Sequence, residues 1–88
     1  MSDVNKELGK YLKSRREKLG KTIDEMAESL KITTINITNI ENGNIDSIGL
    51  NDIFIKSYIK SYITEIGETP EDVFSKFKEF QSVEGTNV

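Results

Sequence analysis

Apolar residues recur every three or four positions along most of the chain, and no stretch alternates polar and apolar residues. This helical period predicts an all-α fold, because a half-buried strand requires a period of two. Turn signals between the apolar runs divide the chain into five predicted helices, at about 6–18, 22–30, 34–42, 50–66 and 70–80. The predicted architecture is therefore a five-helix bundle.

Several of the predicted helix ends have clear local signals. Gly20 and Gly43 follow the first and third helices, where a residue in the left-handed conformation commonly ends a helix. Thr22 and the Glu three positions later have the spacing of a capping box. Thr69 is expected to cap the fifth helix, with Pro70 at its first position.

The same periodicity predicts which side chains face the core. In four of the helices these are Leu8, Leu12, Leu19, Met26, Ala27, Leu30, Ile37, Ile40, Val73, Phe74, Phe77 and Phe80.

A single domain is expected, because 88 residues suffice for one modest core. We place it at 1–81 and expect 82–88, which contains few apolar residues, to be a flexible tail. No apolar run approaches the ~20 residues of a membrane helix and no secretory signal opens the chain, so a cytoplasmic location is expected. Because Cys and His are both missing, we expect no catalytic residue, no metal and no cofactor.

Helices two and three are separated by only three residues, which is the geometry of a helix-turn-helix. The stretch "LKSRREKLGKTIDEMAESLKITTINITNIENG" resembles the Cro and lambda-repressor type of helix-turn-helix domain. The resemblance implies a lambda-repressor-like fold. It also implies that Arg16 and Glu41 form a structural ion pair between the first and third helices.

A DNA-binding function is one reading of this motif. The third helix would enter the major groove. The residues it would present are Thr33, Thr34, Ile35, Thr38 and Asn39. None of these is basic, although Lys21 and Lys31 nearby could contact phosphates, and residues 1–21 hold seven Lys or Arg against three Asp or Glu. A solvated polar face without DNA contact explains the same pattern equally well, and the net charge of −3 favours it.

A more particular resemblance appears in "IENGNIDSIGLNDIFIKSYIKSYITEIGETPEDVF", which is similar to the corresponding stretch of the RodZ family of bacterial cell-shape proteins. The resemblance implies a non-enzymatic adaptor that binds MreB, the actin-like filament protein. It also implies a position at the cytoplasmic face of the inner membrane, reached only through a segment absent from this chain. The partner-binding residues implied by the resemblance are Phe54, Lys56, Tyr58, Lys60 and Tyr62.

The fourth helix has more apolar surface than one packing face needs. At 100° per residue, four isoleucines and Tyr62 share one arc, with Phe54 and Tyr58 at its edge and Lys56 and Lys60 predicted on the opposite side. One interpretation is a binding surface centred on the aromatic residues. The other is that the tyrosines only cover the edge of the domain's own core. A sequence-specific DNA-binding regulator of the Cro and lambda-repressor (XRE) type remains the alternative function.

Overall fold

The computed structural model describes residues 4–77, and within them every regular element is helical. The elements are α1 (Val4–Lys18), α2 (Ile23–Leu30), α3 (Thr34–Asn42), a short 3-10 helix (Ile45–Ile48), α4 (Asp52–Glu65) and α5 (Pro70–Lys76). The predicted all-α fold with five α-helices and a helix-turn-helix is confirmed over these residues. None of these helices is both long and apolar enough to cross a membrane.

The bundle is assembled around α3 and α4. Helix α1 packs on α3, α2 packs on both α3 and α4, and α5 packs on α4. The core between them consists of buried aliphatic side chains from every element together with two aromatic residues, Tyr62 and Phe74. Burial of this apolar surface is the main stabilising contribution to the fold.

Local hydrogen bonds begin and end the helices as the sequence indicated. Thr22 Oγ1 accepts the backbone N–H of Glu25 at 3.0 Å, and the Glu25 carboxylate accepts the N–H of Thr22 at 2.9 Å. This confirms the predicted capping box. Gly20 and Gly43 have φ angles of +74° and +76°, which confirms that both are left-handed stops.

The start of α4 differs from the prediction. The helix begins at Asp52 rather than near Leu50, because the Asn51 side chain accepts the backbone N–H groups of Ile53 and Phe54 and so caps the first turn. The 3-10 helix before it was not predicted. It forms between Gly43 and Gly49, which are both left-handed.

Other expectations about single residues require correction. Leu19 was predicted to face the core but is 53% exposed, because α1 ends at Lys18 and the chain turns away at Gly20. Thr69 precedes α5, yet its side chain makes no capping hydrogen bond. Ala27, Leu30 and Phe77 are only partly buried. Phe80 and the tail at 82–88 lie outside the described residues.

Gly9 sets the closest approach of α1 to α3. A Cβ atom at this position would overlap the backbone carbonyl oxygens of Ile40 and Glu41. A glycine inside a helix normally costs about 1 kcal/mol relative to alanine. Here it allows the two helices to touch backbone to backbone, and this role was not recognised in the sequence.

Candidate functional site

The first turn of α4 exposes a cluster of large apolar side chains. Ile53 is 74% exposed and Phe54 is 54% exposed, and Leu50, just before the helix, is also exposed. We call these three residues the α4 patch. Phe54 was predicted as a partner-binding residue, whereas the exposure of Leu50 and Ile53 was not predicted. The signal was available for Ile53, because it lies roughly 160° from the buried Ile55 around the helix.

Tyr62 was predicted to contact a partner, and this prediction is wrong. The side chain is fully buried in the core. Its hydroxyl donates to Glu41 Oε2 at 2.5 Å and lies 3.4 Å from the carbonyl oxygen of Leu12. Burial, followed by the hydrogen bond to Glu41, raises the pKa of Tyr62. The residue lies in the apolar arc together with the buried isoleucines, and the arc is fully used by the core.

The predicted position of Lys56 is also wrong. It was expected on the solvent side of α4, but the residue is buried and its Nζ lies 4.5 Å from the centroid of the Phe74 ring. Lys56 is only about 20° from the buried Ile63 around the helix, so it lies on the buried side of α4, where it meets Phe74 of α5. The aliphatic part of the lysine packs as apolar surface while the ammonium group meets the aromatic face.

The remaining predicted contact residues of α4 are accessible to different degrees. Tyr58 is half-buried and packs against the core. Lys60 is exposed and borders a shallow groove, which is also lined by Leu30 of α2 and by the hydroxyl side chains of Ser57 and Ser61. The surface of α4 is therefore apolar at its start and polar, with one cation, further along.

Arg16 and Glu41 join α1 to α3 in the interior. The Nε of Arg16 donates to Glu41 Oε2 at 2.7 Å and Nη2 donates to Oε1 at 3.1 Å, while Nη1 donates to the carbonyl oxygen of Lys21 at 2.8 Å. The hydrogen bonds to Glu41 raise the pKa of Arg16. With the hydroxyl of Tyr62, the three side chains form a buried cluster that links α1, α3 and α4. Its polar atoms satisfy one another, so the arrangement is structural.

The α2–α3 surface carries the residues predicted for DNA contact. Thr33, Thr34 and the 71% exposed Ile35 lie in the open at the start of α3. Thr38 and Asn39, one turn on, are half-buried.

The two lysines predicted to assist DNA contact differ in their surroundings. Lys31 is exposed in the left-handed turn between the helices. Lys21 is part-buried, and its Nζ lies 3.4 Å from a carboxylate oxygen of Glu65.

Charge on this surface is unfavourable for a polyanion. Helix α3 contains no basic residue, and Glu41 at its end is neutralised by Arg16. Helix α2 exposes Asp24, Glu25 and Glu28 and contributes no basic residue either. Phosphate groups approaching α2 and α3 would therefore meet more negative than positive charge. Among residues 4–77 no group of acidic side chains is arranged to hold a metal ion that could offset this negative charge.

Comparison with known proteins identifies the scaffold. A family model described as a helix-turn-helix domain matches residues 11–73, which is more than half of the chain. The chain belongs to this helix-turn-helix family. It is the family found in RodZ-like and XRE-like proteins, and its members are typically non-enzymatic. No curated protein and no solved structure matches the chain.

Proposed function

We propose that this helix-turn-helix domain is a non-enzymatic adaptor that binds an actin-like filament of the MreB type through the start of α4. In this proposal the domain lies at the cytoplasmic face of the bacterial membrane and links the filament to it in cell-shape control. The link to the membrane would be made by a segment that is not part of this chain. The family membership and the resemblance over 40–74 support the choice of partner.

The observation that carries the proposal is the exposure of the α4 patch. Three large apolar side chains lie within five residues of one another and are open to solvent. Large side chains of this kind form the buried centre of protein interfaces when a partner covers them. Lys60 lies two turns further along α4, where a single cation would act at the rim and affect the association rate more than the affinity.

The second candidate function is sequence-specific DNA binding by α3. The exposed threonines and Ile35 at the start of α3 favour it, because they stand where a recognition helix contacts bases. The absence of basic residues from α2 and α3 and the three exposed acids of α2 disfavour it. We therefore rank filament binding first.

Two isoleucines provide a matched test of these functions. Ile53 and Ile35 are exposed to nearly the same degree, 74% and 71%, but lie on α4 and α3 respectively. Co-sedimentation of each alanine variant with a polymerised MreB-type protein should show weaker binding for Ile53→Ala and unchanged binding for Ile35→Ala. Phe54→Ala should weaken binding by about 2 kcal/mol, which is the usual cost of truncating a hot-spot side chain.

The same variants distinguish the DNA-binding alternative. Titration of the wild-type chain against random and selected DNA duplexes should show only weak binding that falls steeply with salt. A preferred sequence bound tightly near physiological salt, and lost in Ile35→Ala but not in Ile53→Ala, would overturn the proposal in favour of a DNA-binding regulator. Equal filament binding by wild type, Ile53→Ala and Phe54→Ala would also overturn it.

A further inference from the structure

Helix α5 is too short to be stable by itself. It spans only Pro70–Lys76, seven residues, and isolated helices of fewer than about 12 residues are marginal in water. The Thr69 side chain adds no capping bond at its start. The helical state of α5 therefore depends on its contacts with α1 and α4.

Within the described residues 4–77, the apolar part of these contacts comes from three side chains. Val73 and Phe74 are buried in the core, and the Phe74 ring lies beneath the ammonium group of Lys56. Phe77, directly after α5, is half-buried and its ring centroid is 5.7 Å from that of Tyr11 on α1. This is a small docking area compared with that of α1, α3 or α4, each of which contributes several buried residues.

The polar part is a cluster centred on Glu68 in the turn between α4 and α5. Glu68 accepts a hydrogen bond from the Tyr11 hydroxyl at 2.5 Å and another from Arg15 Nε at 2.5 Å. Lys76, in the last turn of α5, donates to the Tyr11 hydroxyl at 3.1 Å. These four residues, which we call the Glu68 cluster, tie both ends of α5 to α1. The hydrogen bond from Tyr11, then that from Arg15, lowers the pKa of Glu68.

The turn that leads into α5 contains an exposed glycine. Gly67 has φ of +82°, it is exposed, and a Cβ atom at this position would meet no other atom within 4 Å. As a glycine, this residue can adopt other backbone conformations without the penalty that a side chain would impose. The family match ends at Val73, so the last turn of α5 lies outside the region shared with the family.

We propose that α5 is a lid that opens as one unit while α1 to α4 stay folded, and that the Glu68 cluster sets how often it opens. Opening uncovers Val73, Phe74 and the side of α4 around Lys56. Around α4, Lys56 is about 160° from Phe54 but only about 60° from Ile53, so the uncovered side borders the Ile53 edge of the α4 patch. The open form thus exposes apolar side chains that the closed form buries, and the Glu68 cluster sets the population of that form. This inference does not depend on the identity of the partner that binds the α4 patch.

Hydrogen exchange of single amides, measured by NMR over a series of low denaturant concentrations, tests the lid. The informative amides are Val73, which donates to the carbonyl of Thr69, and Ile37 in α3, which donates to that of Thr33. In the wild type, the Val73 amide should exchange faster than that of Ile37 and with little dependence on denaturant, as expected for a local opening. Glu68→Gln should accelerate exchange at Val73 roughly tenfold while its dependence on denaturant stays weak, because the substitution weakens charge-assisted hydrogen bonds that only the closed form makes.

Two further variants make the test specific. Tyr11→Phe removes the hydroxyl but keeps the ring beside Phe77, and it should also accelerate exchange at Val73 with weak dependence on denaturant. Glu65→Gln removes a carboxylate that pairs with Lys21 rather than with α5, so exchange at Val73 should stay at the wild-type rate. Equal exchange free energies at Val73 and Ile37 in the wild type would overturn the proposal. So would an exchange rate at Val73 that stays at the wild-type value in Glu68→Gln.

Discussion

Replacing Arg16 by methionine would isolate the energetic contribution of the buried ion pair. Methionine keeps much of the side-chain volume but cannot donate to Glu41, whose side chain is only 3% exposed. The carboxylate would then retain one hydrogen bond, from the Tyr62 hydroxyl, and lose both of those from the guanidinium. The carbonyl oxygen of Lys21 would lose its bond from Arg16 as well.

The expected cost follows from this geometry. Removing one partner of a buried ion pair typically destabilises a protein by about 3–5 kcal/mol, because the other charge stays buried. The bond from Tyr62 offsets part of this, so we expect about 3 kcal/mol for Arg16→Met. Glu41→Gln keeps the shape and a hydrogen-bonding oxygen, and should cost about 2 kcal/mol. The double variant buries no charge at this site, so it should be about 2 kcal/mol more stable than the sum of the single effects predicts.

Urea unfolding of the four proteins, followed by far-UV circular dichroism, measures these differences. The m-values should be equal, so that the shifts in midpoint report changes in the free energy of unfolding. If the effects of Arg16→Met and Glu41→Gln add to within about 0.5 kcal/mol, the pair contributes nothing beyond its separate parts. That result would refute the view that the buried cluster holds α1, α3 and α4 together.

Two further substitutions test the packing and the buried hydroxyl. Gly9→Ala should destabilise the fold by about 1–3 kcal/mol in thermal melts, although alanine favours helices, because the new methyl group overlaps the carbonyl oxygens of Ile40 and Glu41. Gly20→Ala, where nothing lies within 4 Å, is the control and should cost only the left-handed strain of about 1 kcal/mol. The pKa of Tyr62 is raised in the folded state. Above about pH 10 the unfolded state therefore loses the proton of the Tyr62 hydroxyl while the folded state keeps it. The contribution of this hydroxyl to stability is thus complete below about pH 10 and declines above it. Tyr62→Phe should therefore lose less stability than the wild type between neutral pH and about pH 11, and parallel pH profiles would contradict this.

Features that depend on a few neighbouring residues could be predicted from the sequence. The capping box of Thr22 and Glu25 and the left-handed stop at Gly43 form within one helical turn, so their spacing determines their geometry. The helix-turn-helix formed by α2 and α3 was predicted from the short turn between two segments with a helical period. These local signals were enough to establish the fold.

Features that depend on distant residues were missed or wrongly placed. Tyr62 was assigned to a binding surface, but its hydroxyl is satisfied by Glu41, which is 21 positions away. Lys56 was placed in solvent, but α5 covers it with Phe74. From the sequence alone, Gly9 is an unfavourable helix residue, because its close contact with the backbone of α3 is visible only in the folded structure. In each case the periodicity of one helix cannot show which other helix covers its edge.

The corrected position of Tyr62 changes what its mutation can show about binding. Through Glu41 it fixes α4 to α1 and α3, so the α4 patch is presented on a rigid element. A variant of Tyr62 that binds a partner poorly would therefore report a displaced helix rather than a lost contact. Only substitutions of residues that are exposed in the folded domain, Ile53 and Phe54 foremost, can test for a direct contact with a partner. Binding measurements on Tyr62 variants thus test how α4 is positioned in the domain, and binding measurements on variants of the α4 patch test which partner the patch contacts.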